Sequence, residues 1–288
     1  MLKAISYYTD GFFVIAVEEG IIYYKIRALI EEEGQTMDKT RTQQVLDTGI
    51  LAGRILMESG SEMYRIEDTL KYILHTGGLT KPEIFTTPTG IFLSAQNIDI
   101  TKMAQVTHSN INLEKVNLVN ALSRQFSAGE ITLDQLEAGL KQIDHSTRDF
   151  PFWWKLLSSF FISCFLMIIF IGKYDWLDFV PAGIVGMLGY GLDYYLNEIL
   201  KVQFISEFIA GAAIALMAVG FQYLGLAQHI NYLIIGAVMP LVPGVALTNA
   251  LRDLISGHLI SGLTRMVAGT LTALAIGGGI ALILRFLA

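Results

Sequence analysis

The sequence predicts an α-helical integral membrane protein in which an N-terminal cytoplasmic α+β domain precedes about five transmembrane helices. The first observation is an uneven distribution of charge. Residues 1–155 hold 15 of the 20 Lys and Arg and 20 of the 26 Asp and Glu, leaving five basic and six acidic side chains for residues 156–288. The first part has the charge density of a soluble domain and the second that of a membrane domain. The second observation is a set of apolar runs at about 156–172, 177–196, 205–225, 230–250 and 264–286, each near the length that a hydrocarbon layer of about 30 Å requires. The chain divides accordingly into an extension over 1–36, an α+β domain over 37–150 and a membrane domain over 151–288.

Gly11–Val17 is apolar, but Glu18 and Glu19 follow at once, which speaks against a signal peptide and against a span. Residues 11–30 could at most form an amphipathic helix, and 1–36 read as poorly organised. From about 40, Val45, Leu46, Ile50, Leu51, Ile55 and Leu56 recur at helical steps, with Gly49 and Gly53 permitting close approach to a neighbour. Ser59-Gly-Ser-Glu62 reads as a capping box that starts a second helix with the stripe Met63, Ile66, Leu70 and Ile73, ended by Gly77-Gly78.

The period then changes. Two β-rich runs over 83–94 flank Pro88-Thr-Gly90, predicting strand, tight turn and strand, with a third strand near 101–107. Two helices follow, about 112–127 and 132–145, the second opened by the capping box Thr132-x-x-Gln135 and lined by Leu133, Leu136, Leu140 and Ile143.

Phe150-Pro-Phe-Trp-Trp-Lys155 has the aromatic and basic character of a membrane interface. With the N-terminus inside, cytoplasmic flanks carry Arg148, Lys155, Lys201, Arg252 and Arg265, and external flanks carry Lys173 and Arg285. That excess favours the cytoplasmic N-terminus of a protein in the cell membrane.

The candidate site lies in the fourth run, at Pro240-Leu-Val-Pro-Gly-Val-Ala-Leu-Thr-Asn249-Ala-Leu-Arg252-Asp253. Pro240 and Pro243 remove two amide donors, and Gly244 adds freedom. A broken helix at membrane depth persists where it is buried in protein or lines a cavity, and polar groups at such breaks mark transport paths. Arg252 can clamp a carboxylate through its planar fork, with Asn249 as a neutral hydrogen-bonding partner and Asp253 holding Arg252 when the site is empty. The competing reading is an Arg–Asp pair that ends the span at the headgroups. Arg265 reads as a topology anchor, and Asp193 as a candidate for ion coupling.

The glycines at 183, 186, 189 and 191, and Gly277-Gly-Gly279, read as surfaces for close helix packing. In the soluble domain Glu62, Arg65, Glu67 and Asp68 cluster on the second helix, where a solvated charged face is the default. No hydrolase elbow, zinc-protease motif or phosphate loop occurs, and His75, His108 and His145 fit no metal spacing. Cys164 is a lone cysteine in an apolar run. No cofactor or metal is expected, and no basic stripe offers a nucleic-acid surface.

Three blocks together resemble the threonine/serine exporter family: Gly53-Arg-Ile-Leu-Met-Glu-Ser-Gly-Ser-Glu-Met-Tyr-Arg65-Ile-Glu67-Asp68, Thr87-Pro-Thr-Gly-Ile-Phe92, and Pro240-x-x-Pro-Gly…Thr-Asn-Ala-x-Arg-Asp253. The resemblance covers about 42–288. It implies an inner-membrane exporter of small carboxylate-bearing metabolites, threonine, serine or a dicarboxylate such as succinate, that uses the proton gradient. Five spans resemble the larger subunit of split, two-component succinate exporters, which implies a second small membrane subunit or a second copy. The family's N-terminal domain has been likened to hydrolases, so a membrane-anchored hydrolase or sensor is the alternative.

Overall fold

The structure is a computed structural model describing residues 5–9, 12–16 and 21–287 apart from 80, 96–99, 108, 109, 147–149, 201 and 203, with side chains described from residue 40 onward. His108, and Arg148 and Lys201 of the orientation count, lie outside the described residues. The chain forms two compact units, residues 1–61 with 65–146, and residues 62–64 with 147–288.

In the first unit, the segment expected to be an unorganised extension contributes regular backbone. Strands β1 (Ile5–Thr9) and β2 (Phe12–Ala16) pair antiparallel, and helix α1 runs from Ile21 to Glu58. The expectation of one helix over 11–30 is corrected for its first part, where the aromatic and β-branched run Phe12–Ile15 takes the pleated form such residues favour. Helix α2 (Met63–Thr76) is followed by β3 (Pro82–Thr87), β4 (Gly90–Ala95) and β5 (Ile100–Gln105). These three form the antiparallel meander that the turn at Pro88-Thr-Gly90 predicts. Helices α3 (Leu113–Ser127) and α4 (Leu133–Ser146) complete the unit.

Its core is built from Leu46, Ile55 and Leu56 of α1, Ile66, Leu70 and Ile73 of α2, Ile91 and Leu93 of β4, and Leu136 and Leu140 of α4, all fully buried or nearly so. Gly49 and Gly53 are what let α2 and β4 close on α1. A Cβ at Gly49 would stand 3.0 Å from Leu74, and one at Gly53 2.9 Å from Ile91. Arg54 bonds Glu58 one turn on and reaches Asp144 of α4 at 2.6 Å, joining the two helices.

One capping box forms and the other does not. Thr132 N donates to Gln135 Oε1 at 2.8 Å and Gln135 N to Thr132 Oγ1 at 3.3 Å, the reciprocal pattern that opens α4. Ser59 instead belongs to the end of α1. Gly60 takes φ 80°, Gly60 N donates to Met57 O and Ser61 N to Leu56 O, which is a Schellman stop. The Ser59 amide donates to Ile55 O at 3.0 Å, so it is not there for the Glu62 side chain to accept from.

The second unit contains α5 (Phe152–Ile171), α6 (Trp176–Leu200), α7 (Ile205–Tyr223), α8 (Ile230–Val238), α9 (Gly244–Ile255) and α10 (Leu259–Leu287). Among the described residues, α5, α7 and α10 are long and apolar enough to cross a membrane, and α8 with α9 makes a fourth such stretch if the bent pair is one span. By length and composition the described residues thus offer three candidate spans, or four with the bent pair, beside the five apolar runs of the sequence. Helix α6 has the length, but its glycines, tyrosines and Asp193 dilute its hydropathy.

The core of this unit gathers Met167, Ala182, Val185, Ala210, Ile214, Ala218, Leu233, Ala237 and Ile276. Small residues set the spacing, as expected for helices that associate without a hydrophobic drive from water. Ser159 Oγ bonds Gly186 O at 3.2 Å, and the Cys164 thiol bonds Phe179 O at 3.1 Å, so the lone cysteine is a buried packing residue. The glycines are not equivalent. A Cβ at Gly183, Gly186, Gly189 or Gly279 would run into a neighbour, whereas Gly277 has nothing within 4 Å.

Candidate functional site

The predicted helix break is present. Helix α8 tightens into a 3-10 turn at Met239–Leu241, Val242 is extended, and α9 starts after Pro243 at an angle of 59°. Proline explains both ends. Pro240 sits within the tight turn, where its missing donor costs little, and Pro243 occupies the position just before α9. The ring of Pro243 also biases Val242 toward the extended backbone it adopts. Thr248 Oγ1 folds back onto Gly244 O at 3.0 Å in the first turn of α9.

Asn249 and Asp253, four residues apart, share the buried face of α9. Arg252 lies on the other side, its side chain 59% exposed. The expectation that Asp253 holds Arg252 is not how the charges pair. Arg252 Nη1 bonds Glu62 Oε1 at 2.6 Å, within the second unit to which Glu62–Tyr64 belong. Asp253 is fully buried. Its Oδ1 accepts from the Met63 amide at 2.9 Å, and its Oδ2 lies 3.5 Å from Arg265 Nη1 of α10. Arg265 is only 17% exposed, so it is engaged inside the unit rather than spread at a headgroup surface.

The four charged candidates around α2 separate. Glu62 joins Arg252. Glu67 accepts from Thr86 Oγ1 at 2.8 Å, Asp68 lies 3.7 Å from Lys71, and Arg65 is exposed. Asp193 bonds Asn197 Nδ2 at 3.2 Å within α6 and does not join the α9 group.

Sequence reasoning missed a second polar set. Asp178, fully buried near the start of α6, accepts from Gln228 N at 2.7 Å, His229 N at 3.0 Å and His229 Nδ1 at 3.0 Å. Asp175 Oδ1 accepts from Leu177 N and Asp178 N, and its Oδ2 lies 3.3 Å from His229 Nδ1. Asp175, Asp178 and His229 are the one group among the described residues whose ligand atoms lie close enough together to hold a metal ion. The donors already present make a structural account sufficient: the aspartates tie the start of α6 to the start of α8. The spacing Asp175-x-x-Asp178 before a helix was the available signal.

A model of the threonine/serine exporter family matches residues 47–287, which take in α2, the meander, the break and α10. The chain belongs to the threonine/serine exporter family. A protein of Mycobacterium tuberculosis (strain ATCC 25618 / H37Rv) named "Probable threonine/serine exporter" is 22% identical over 234 residues, covering 80% of this chain and 44% of that protein. The chain thus spans less than half the length of this relative. No solved structure matches. Membership of this exporter family and the apolar helices together describe a multi-pass membrane protein.

Proposed function

We propose that the protein exports small carboxylate-bearing metabolites, threonine and serine or a dicarboxylate such as succinate, across the cell membrane at the expense of the proton gradient. Residues 37–150 serve as a cytoplasmic domain and 151–288 as the transmembrane domain, with α6 and the bent α8–α9 pair completing five spans. A second small membrane subunit or another copy completes the path, in keeping with a relative more than twice as long as the matched stretch.

The observation that carries this reading is the exposed guanidinium of Arg252, seated on a carboxylate just beyond a broken membrane helix. One arm of its fork, Nη1, already binds Glu62, and a substrate carboxylate can take the same place at little net electrostatic cost. Asn249, on the buried face, offers a neutral hydrogen-bonding group, and Pro240, Pro243 and Gly244 form the wall that can flex. Asp253 anchors α9 to Arg265, while Asp193 is the coupling residue.

Membrane vesicles from cells producing the chain, with any membrane protein that co-purifies, should move labelled threonine, serine or succinate when a pH gradient is imposed. Absence of flux for all three, with the chain present in the membrane, would remove this reading.

A further inference from the structure

The two members of the Arg252–Glu62 pair are unequally placed. The Arg252 side chain is 59% exposed and that of Glu62 only 12%. Glu62 is also held through its neighbour. The Met63 amide donates to Asp253 Oδ1 at 2.9 Å, and Asp253 Oδ2 lies 3.5 Å from Arg265 Nη1, so the segment Glu62–Tyr64 is part of the second unit and fastened to α9 there. Helix α10 closes on α9 at Gly262, where a Cβ would stand 2.8 Å from Leu254 N and 2.9 Å from Ala250 O. The frame that carries Asp253 is therefore tight, and Arg252 is the member of the pair that can swing toward water.

The charges here act on one another: Glu62 and Asp253 both act on Arg265, and His258 acts on Asp253. The buried Asp253–Arg265 pair is closed to exchange with a ligand, whereas the exposed arginine is not. A substrate carboxylate that takes the Arg252 fork separates it from Glu62. The Glu62 carboxylate, still fastened beside the site, then meets whatever group the substrate carries next. An α-amino acid carries its ammonium group on the carbon that bears the carboxylate, so the charge that reaches Glu62 is positive. A dicarboxylate brings a second negative charge instead. In a partly desolvated place the sign of this contact counts for more than it would in water.

We propose that Glu62 is a specificity-determining residue of this site: as a substrate's carboxylate replaces it on Arg252, Glu62 receives the substrate's ammonium group, and its charge thereby favours a zwitterion over a dicarboxylate. The inference deepens the export reading and rests on Arg252 being its carboxylate site, but it is measured by binding alone, without a gradient or any flux.

Equilibrium binding of labelled threonine and labelled succinate to the full chain in lipid nanodiscs tests it. Arg252→Gln should weaken both ligands. Glu62→Gln removes the charge at nearly constant shape, and should weaken threonine about tenfold while strengthening succinate by a similar factor. Glu62→Asp keeps the charge and should keep the wild-type order of the two ligands. N-acetylthreonine, which has the carboxylate but no ammonium group, gives a measurement on the wild type itself. The wild type should prefer threonine to it, and Glu62→Gln should lose most of that preference. If Glu62→Gln shifts threonine and succinate in the same direction, Glu62 merely occupies the Arg252 fork and the proposal is overturned. Equal affinity of the wild type for threonine and N-acetylthreonine overturns it without any variant, as does failure of both threonine and succinate to bind. Threonine flux in vesicles alongside any of those results leaves the export reading standing, and the expected binding pattern without flux sinks the export reading alone.

Discussion

Glu62 Oε1 holds Arg252 Nη1 at 2.6 Å, and this pairing leaves Asp253 to Arg265. The two arginines near the end of the broken helix thereby acquire different characters. Arg252 is exposed and seated on a carboxylate that another carboxylate can replace, whereas Arg265 is enclosed with a fully buried partner.

Replacing Arg252 by Lys keeps the charge but loses the planar fork. Export should fall at least tenfold at matched protein levels. Thermal stability should change by less than about 1 kcal/mol, as for an exposed ion pair. Flux and unfolding measured on the same preparation separate the two effects. Normal export by Arg252→Lys would return this residue to an ordinary charge at the end of a helix.

The Asp253–Arg265 pair should behave in the opposite way. Removing one member of a buried pair strands the other, so Asp253→Ala should destabilise by on the order of 3 kcal/mol. The double replacement Asp253→Leu with Arg265→Met removes both charges and should recover much of that loss. Unfolding in detergent by heat or denaturant reads this directly. Equal damage from the single and the double variant would show that the pair's energy lies elsewhere, for instance in the bond from the Met63 amide.

The contrast between these arginines was not legible in the sequence, although the break was. Pro240 and Pro243 act through their own rings, so their effect can be read locally. The same holds for the meander around Pro88-Thr-Gly90 and the capping box at Thr132, where every partner lies within a few residues. The partner of Arg252 lies 190 residues away, and that of Asp178 about 50. Adjacency suggested Asp253 as the natural holder of Arg252, but consecutive helical residues point about 100° apart. Ser59 misled for a related reason: Gly60 gave a Schellman stop the first use of those groups, and pattern alone does not rank two local claims on one residue.

The glycine run in α10 makes a sharper test of packing. A Cβ at Gly279 would collide with the Phe208 carbonyl and lie 2.8 Å from Ala212 N, both backbone atoms that cannot rotate away. Gly279→Ala should therefore push α7 and α10 apart and cost about 1–3 kcal/mol. Gly277→Ala enters open space within the helix and should be neutral or stabilising by up to about 1 kcal/mol. Matched thermal melts of the two variants decide, and equal destabilisation would mean that the α7–α10 contact is not this close.

Asp178 ties the start of α6 to the start of α8. Its buried carboxylate takes two backbone amides, those of Gln228 and His229, besides the His229 ring nitrogen. The start of α8 has no cap from His229 itself, so Asp178 supplies what the local sequence does not. Asp178→Ala would leave those amides without their acceptor and should cost about 3 kcal/mol, since bonds to a charged group contribute roughly 1.5–3 kcal/mol each and do not add fully. Asp178→Asn keeps one acceptor oxygen and should cost about half as much. His229→Ala leaves both amide bonds in place and removes the contacts of a half-exposed ring with Asp175, Asp178 and Tyr232, so it should cost about 1 kcal/mol. The expected order of damage is thus Asp178→Ala, Asp178→Asn, His229→Ala, read from unfolding midpoints in one detergent. If His229→Ala proved as harmful as Asp178→Ala, the imidazole rather than the amides would be the reason for this aspartate, and the structural account of the cluster would fail.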